Sequence, residues 1–124
     1  MRTRVAVIVL SCFALLLFAQ VAEAVVLRVV VVETADAAAY AQEVVKVRPI
    51  LKRLGSAAEV RVWRARFAGP ETGTVVVSVE YADLATLAKD EAAAMADPEY
   101  RTWLAGLAKM RKVLSDSTYD ELGN

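Results

Sequence analysis

The chain has no histidine anywhere, and only one cysteine and five glycines among its 124 residues. Without histidine there can be no Ser-His-Asp or Cys-His nucleophile system, no His-ligated zinc or non-haem iron, and no proximal-His haem. The single cysteine, Cys12, lies in an N-terminal apolar run, so the chain from Val25 onward has neither disulfides nor thiol chemistry. Gly55, Gly69, Gly73, Gly106 and Gly123 fit neither a G-x-G-x-x-G fingerprint nor a phosphate loop ending in G-K-[ST], and no calcium loop is present. An excess of one charge sign is also missing. Setting aside Arg2, Arg4 and Glu23 leaves thirteen basic and fourteen acidic residues. Nothing in that balance points to nucleic acid or to a solvating acidic tail. No metal and no cofactor are expected.

The N-terminus carries an address. Arg2 and Arg4 precede the apolar run Val5–Phe18, and Ala22-Glu23-Ala24 places small residues where a signal peptidase reads. This is the three-part pattern of a secretory signal peptide, with cleavage after Ala24. The expected organisation is residues 1–24 as signal and residues 25–124 as one domain, secreted or periplasmic and free of the membrane after cleavage. Two alternatives stand beside it. Val5–Val21 falls just short of the about 20 residues that span a bilayer, which would give an uncleaved anchor. Val9-Leu10-Ser11-Cys12 has the look of a lipoprotein box, although FALLLFA still follows the cysteine. A domain of about 100 residues can bury one core with little to spare. With no disulfide to help, that core carries the fold, aided by a partner subunit.

From Val25 the pattern reads strand, helix, strand, strand, helix, strand. Val25–Glu33 is a β-branched run apolar on both faces. Thr34 or Asp36 can cap a helix over Ala37–Leu54, where Tyr40, Val44, Val47, Leu51 and Leu54 form one stripe and Pro49 introduces a bend. Gly55 is the expected C-terminal cap. Glu59–Phe67 alternates as a second strand, with a slip at Val62-Trp63 suggesting a bulge. Gly69–Gly73 is a turn, and Thr74–Tyr81 a third strand with Val75, Val77, Val79 and Tyr81 on one face. Asp83 caps a helix with Leu84, Leu87, Glu91 and Met95 on one side, and Asp97-Pro98 restarts it with Tyr100, Trp103, Leu104 and Leu107 as its stripe. Lys112–Tyr119 closes the series as a fourth strand. This is the split βαβ order, an α+β ferredoxin-like βαββαβ fold: a four-stranded antiparallel sheet with helices on one face.

The turn GPETG, the stretch TVVVSVEYADLATLAKDEAAAMADPEYRTWL and the last strand with VLSDSTYDEL together resemble the dimeric α/β-barrel superfamily. The likeness is greatest to its NIPSNAP-like and antibiotic-biosynthesis-monooxygenase-like branch. The resemblance implies a homodimer with two sheets packed face to face, and leaves the activity open because the scaffold hosts many. It also implies two departures. Haem-degrading members use a histidine, which this chain lacks. Cofactor-free oxygenases pair an Asn with a Trp, whereas the only Asn here is Asn124.

Polar residues inside apolar strands mark the candidate site. Arg28 sits in a valine strand and either contacts an anion or pairs with Glu80 or Glu33. Arg61, Arg64 and Arg66 either clamp an anion or form a solvated face. Tyr40, Trp63, Tyr100 and Trp103 either line a pocket or pack the core. Glu80 is the best general-base candidate and Asp116 the alternative, unless both serve in ion pairs. The expected ligand contacts are Arg28, Trp63, Arg64, Ser78, Glu80, Tyr100 and Trp103, with Trp63 and Trp103 as the apolar wall. Three functions follow. One is an exported homodimer binding a small apolar or weakly acidic molecule. The others are a cofactor-independent monooxygenase-like enzyme and a structural or protein-interaction module. A cavity of roughly 300 Å³ or more between sheet and helices would mark the binding reading.

Overall fold

The β-branched run after Ala24 pairs on both sides and becomes a central strand. In a computed structural model, which describes residues 24–123, β1 spans Val26–Glu33, β2 Glu59–Arg64, β3 Val75–Tyr81 and β4 Lys112–Asp120. Residues 1–23 of the expected signal segment, Cys12 among them, lie outside the described residues. The strands form one antiparallel sheet in the order β2-β3-β1-β4. Four helices occupy the two connections: α1 (Ala37–Val45), α2 (Val47–Arg53), α3 (Leu84–Ala96) and α4 (Pro98–Ala108). The α+β, ferredoxin-like reading of the sequence holds.

Local chemistry sets the boundaries. Asp36, not Thr34, caps α1, accepting from the Ala39 amide at 3.0 Å, while the Thr34 hydroxyl donates to the Met110 carbonyl at 2.8 Å. Asp83 and Asp97 cap α3 and α4 by accepting from Thr86 and Tyr100 amides at 2.6 and 2.9 Å. A cap of this kind stabilises its helix by about 1 kcal/mol. Gly55, at φ 79°, ends α2 as expected: its amide donates to Lys52 and that of Ser56 donates to Leu51. This crossed pair satisfies carbonyls the helix end leaves free. The first helix breaks at Lys46 instead of bending at Pro49 itself. Proline lacks the N–H that would reach Val45 and its ring crowds that carbonyl, so the disruption appears one turn earlier.

Strand alternation divides the sheet cleanly. Val26, Arg28, Val30 and Val32 of β1 face the helices, and so do Val75, Val77, Val79 and Tyr81 of β3. The core lies here, with Val32, Tyr40 and Val44 fully buried. The opposite face carries no helix. Its rows run Trp63–Val76–Val31–Ser115, Arg61–Ser78–Val29–Ser117 and Glu59–Glu80–Leu27–Tyr119 across the four strands. Only β1 is apolar on both faces. The edge strands carry charge and hydroxyls on this face, as partly solvated edge strands do.

Two further expectations are corrected. The β2–β3 register is continuous through Arg64, so the slip at Val62-Trp63 makes no bulge. The irregularity falls between β1 and β4, at Val31/Val32, where Leu114 is the extra residue. In α3 the inward stripe is Leu87, Glu91 and Ala94, whereas Leu84 and Met95 are exposed. The alanine-rich helix gave little contrast to set the phase of its stripe.

Candidate functional site

Between the helix-side face of the sheet and the helices lies a cavity of about 100 Å³. Its wall is apolar: Val30 and Val77 from the sheet, Val44 and Leu51 from α1 and α2, Trp103 and Leu107 from α4. The Trp103 indole N–H donates to the Glu43 carbonyl at 2.8 Å, which fixes the ring against α1. Tyr100 tilts against it with ring centroids 5.3 Å apart, an arrangement favoured by aromatic quadrupoles. The volume is well below the roughly 300 Å³ that the sequence reading set as the mark of a binding site, so that expectation is not met, and any occupant is small.

One end of this cavity is polar. Arg28 holds Asp116 of β4 with a bidentate grip, Nε to Oδ1 at 3.0 Å and Nη2 to Oδ2 at 2.7 Å, and its Nη1 donates to Glu91 of α3. The guanidinium thereby ties the edge strand to the helix layer. The sequence reading placed Glu80 or Glu33 as its partner. Glu80 points to the other face of the sheet, and the arginine is committed to Glu91 and Asp116 instead. The Asp116 bond, reinforced by the nearby Glu91 charge, raises the Arg28 pKa against the opposing effect of burial. In return, Arg28 holds the Asp116 carboxyl below its ordinary value. Burial pushes the Tyr81 hydroxyl up to about 12, with the Glu91 charge adding to it. Burial raises Tyr100 in the same way. Both phenols are therefore neutral donors at physiological pH.

Arg111, between α4 and β4, also lines the cavity. Its Nη1 donates to the hydroxyl of the fully buried Tyr40 at 2.8 Å, and its Nε is buried without a hydrogen-bond partner. Nothing in the run Lys109-Met110-Arg111-Lys112 distinguishes this residue by sequence, and it was not anticipated. Glu91 was legible as a carboxylate in an apolar stripe, and Asp116 as a carboxylate on a strand. Their meeting at Arg28 depends on the strand register, which sequence does not reveal.

The sheet separates the seven expected contact residues. Arg28, Tyr100 and Trp103 line the cavity. Trp63, Ser78 and Glu80 lie on the opposite face, where the Trp63 indole N–H donates to the Ser78 hydroxyl at 2.8 Å. Arg64 and Arg66 border a separate, open depression with Trp63, beside Ala37 and Ala41. Trp63 and Trp103 therefore do not form one wall. Arg61 pairs with Glu59 at 2.6 Å. Arg48 donates to the Val60 carbonyl at 3.2 and 2.8 Å, occupying an acceptor on the outer strand. Among the described residues no three His, Cys, Asp or Glu side chains converge as a metal site. Nor is any helix among them long and apolar enough to cross a membrane.

No family model matches the chain, and no curated protein matches it either. Solved structures do. A dimeric ferredoxin-like protein from an uncultured marine organism is 18% identical with TM-score 0.62, over 82% of this chain and 99% of that one. A NIPSNAP-like domain protein from Burkholderia xenovorans is 16% identical with TM-score 0.61, over 83% and 86%. SnoaB, a cofactor-independent oxygenase from Streptomyces nogalater, is 11% identical with TM-score 0.61, over 82% and 96%. At these identities the likeness is one of fold. The chain has the ferredoxin-like fold shared by NIPSNAP-like and antibiotic-biosynthesis-monooxygenase-like domains.

Proposed function

We propose that this protein is an exported homodimer that binds a small, mainly apolar molecule in the cavity between sheet and helices. The observation that carries the reading is the cavity itself: an apolar wall with Arg28, Arg111, Tyr81 and Tyr100 as polar groups in its lining. Small-ligand sites combine apolar lining with a few convergent polar groups in this way. Dimerisation is supported by the uncovered face, where half-buried Leu27, Val29 and Val76, beside the buried Val31, form an apolar centre flanked by half-exposed Trp63 and Tyr119. A dimeric ferredoxin-like protein among the structural neighbours agrees with it. Export is supported by Arg2, Arg4, the apolar run and Ala22-Glu23-Ala24. Mass spectrometry of protein from the producing cell should show Val25 as the N-terminus; an intact Met1 or an acylated Cys12 would reject export by cleavage.

The two tryptophans report on different faces, which gives the binding test its control. In an NMR screen of small apolar compounds, a true ligand shifts the Trp103 indole signal and leaves that of Trp63 in place. A library that moves neither signal would contradict the binding reading. The enzyme reading draws on the likeness to SnoaB, whose oxygenase activity is described as cofactor-independent. Against it, Glu80 and Trp63 lie across the sheet from the cavity.

A further inference from the structure

Three tyrosines lie in the helix-side layer, and their hydroxyls are in different states. That of Tyr40 is engaged by Arg111 Nη1 at 2.8 Å. Tyr81, only 8% exposed, and half-buried Tyr100 both line the cavity, and neither hydroxyl makes a hydrogen bond among the described residues. A buried polar group left unmatched is costly, and such groups in native proteins call for an explanation. The Arg111 Nε–H also lacks a partner, but protein encloses it, so no occupant of the cavity reaches it. The two phenol hydroxyls are not sealed in that way. They belong to one end of the cavity: the charges of Arg28 and Glu91 act on both, and the Tyr81 hydroxyl also feels that of Tyr100.

The hydrogen-bonding capacity left at this end decides what it takes. All three Arg28 nitrogens are engaged, Nε and Nη2 on Asp116 and Nη1 on Glu91. Glu91 accepts through Oε1, and its Oε2 makes no hydrogen bond among the described residues. Phenols can donate and a carboxylate oxygen can only accept. The matching ligand group accepts and donates at once, which describes a hydroxyl. A carbonyl would serve the phenols and give Glu91 nothing. A ligand carboxylate would lose its hydration and then meet Glu91 and Asp90, which also lines the cavity and acts on Tyr81. An ammonium would shed its hydration beside the Arg28 guanidinium and offer the phenols no acceptor.

We infer that Tyr81 and Tyr100 are the specificity-determining residues of the cavity, and that the ligand is a short aliphatic alcohol whose hydroxyl accepts from these phenols and donates to Glu91 Oε2 while its alkyl part lies against Val30, Val77 and Val79. The inference rests on the binding reading above and narrows its ligand from mainly apolar molecules in general to neutral alcohols. Size agrees. An apolar cavity of about 150 Å³ takes benzene, so 100 Å³ calls for a smaller molecule.

Probes on one branched skeleton test it: sec-butanol, its hydrocarbon isostere isopentane, its ketone butanone, and the charged isosteres propionate and sec-butylamine. Each is titrated into isotope-labelled protein recovered from the producing cell, following the Trp103 indole signal by NMR with that of Trp63 as control. Sec-butanol should shift Trp103 alone and bind about tenfold more tightly than isopentane, with the other three weaker than the alcohol. In the Tyr81→Phe, Tyr100→Phe double variant, which keeps both rings and removes both hydroxyls, sec-butanol should bind about fivefold more weakly or worse, and isopentane as before. A melting curve confirms that the variant is folded; if it is not, either single substitution carries the same comparison. Isopentane, butanone, propionate or sec-butylamine binding as well as sec-butanol would overturn the alcohol assignment while leaving the cavity a binding site. A preference for sec-butanol that survives the loss of both hydroxyls would overturn the role given to the tyrosines. If no probe moves Trp103, the two phenols are merely hydrated, and the assignment falls together with binding of ligands this small.

Discussion

The two faces of the sheet are built from the same strands and have different chemistry. On the helix side, rows such as Val62–Val77–Val30–Asp116 are apolar until they reach the β4 edge. There, a polar residue occurs in the interior only where it has a partner: Arg28 carries two carboxylates. On the open side the apolar residues gather on β1 and at Val76 of β3, while Ser78 and Glu80 of β3 and most of the edge-strand positions carry hydroxyl or charged groups. The first pattern closes a core around a small cavity. The second leaves an apolar centre with a polar rim, the anatomy of a protein–protein interface. One alternating sequence thus builds two surfaces, because successive side chains in a strand point to opposite sides.

The contrast predicts unequal responses to substitution. Tyr40→Ala strikes the core and also deprives Arg111 of its acceptor, so a loss of about 3–5 kcal/mol is expected in urea unfolding. If the open face is the proposed interface, Val29→Arg should leave each subunit folded and weaken self-association by about 2 kcal/mol or more, since it would bury an unpaired charge there. Sedimentation equilibrium reads that effect. A variant that unfolds instead would show that Val29 belongs to the core of the single subunit.

Arg28→Met leaves Glu91 and Asp116 without their shared partner. All three side chains are about one-third exposed or more, so solvent screening limits the expected cost to about 1–2 kcal/mol. Trp63→Phe removes one hydrogen bond to Ser78 on the open face and should cost about 1 kcal/mol.

The smallest effects are in pH dependence. Asp116 is held below its ordinary value of 3.8, so the stability it adds is complete above that value and is lost as pH falls through the lower folded one. Asp116→Asn should flatten the acid limb of the stability profile. Tyr81 behaves in the opposite sense. Its hydroxyl is raised from 10.0 to about 12, so its contribution is present below pH 10 and declines as pH rises towards 12. Tyr81→Phe should remove that alkaline decline, seen as a melting temperature that no longer falls across the interval.

Much of the helix-side face was legible in the sequence. The stripe Tyr40, Val44, Val47 and Leu51 reads directly as helical spacing, and Val75, Val77 and Val79 as strand alternation. The caps at Asp36, Asp83 and Asp97 follow from side-chain chemistry. What the sequence concealed was pairing across long separations. Nothing local tells Arg28 that Asp116 and not Glu80 will lie beside it; that follows from the β1–β4 register and from which face each residue takes. For the same reason the candidate residues looked like one site. Trp63, Ser78 and Glu80 are close in sequence to cavity residues such as Val77 and Val79, and a one-residue offset in a strand puts them across the sheet. The α3 stripe failed for a different reason: alanines on all sides of a helix give no phase.

The separation of the faces can be measured in one experiment, the indole N–H spectrum of the labelled protein followed on dilution from millimolar to sub-micromolar concentration. The Trp63 signal should move as the open faces part, while the Trp103 signal, anchored on Glu43 in the cavity wall, stays in place. A Trp63 signal unaffected by dilution in protein that sediments as a monomer throughout, or a Trp103 signal that moves together with it, would contradict the division of the sheet into an interface and a cavity.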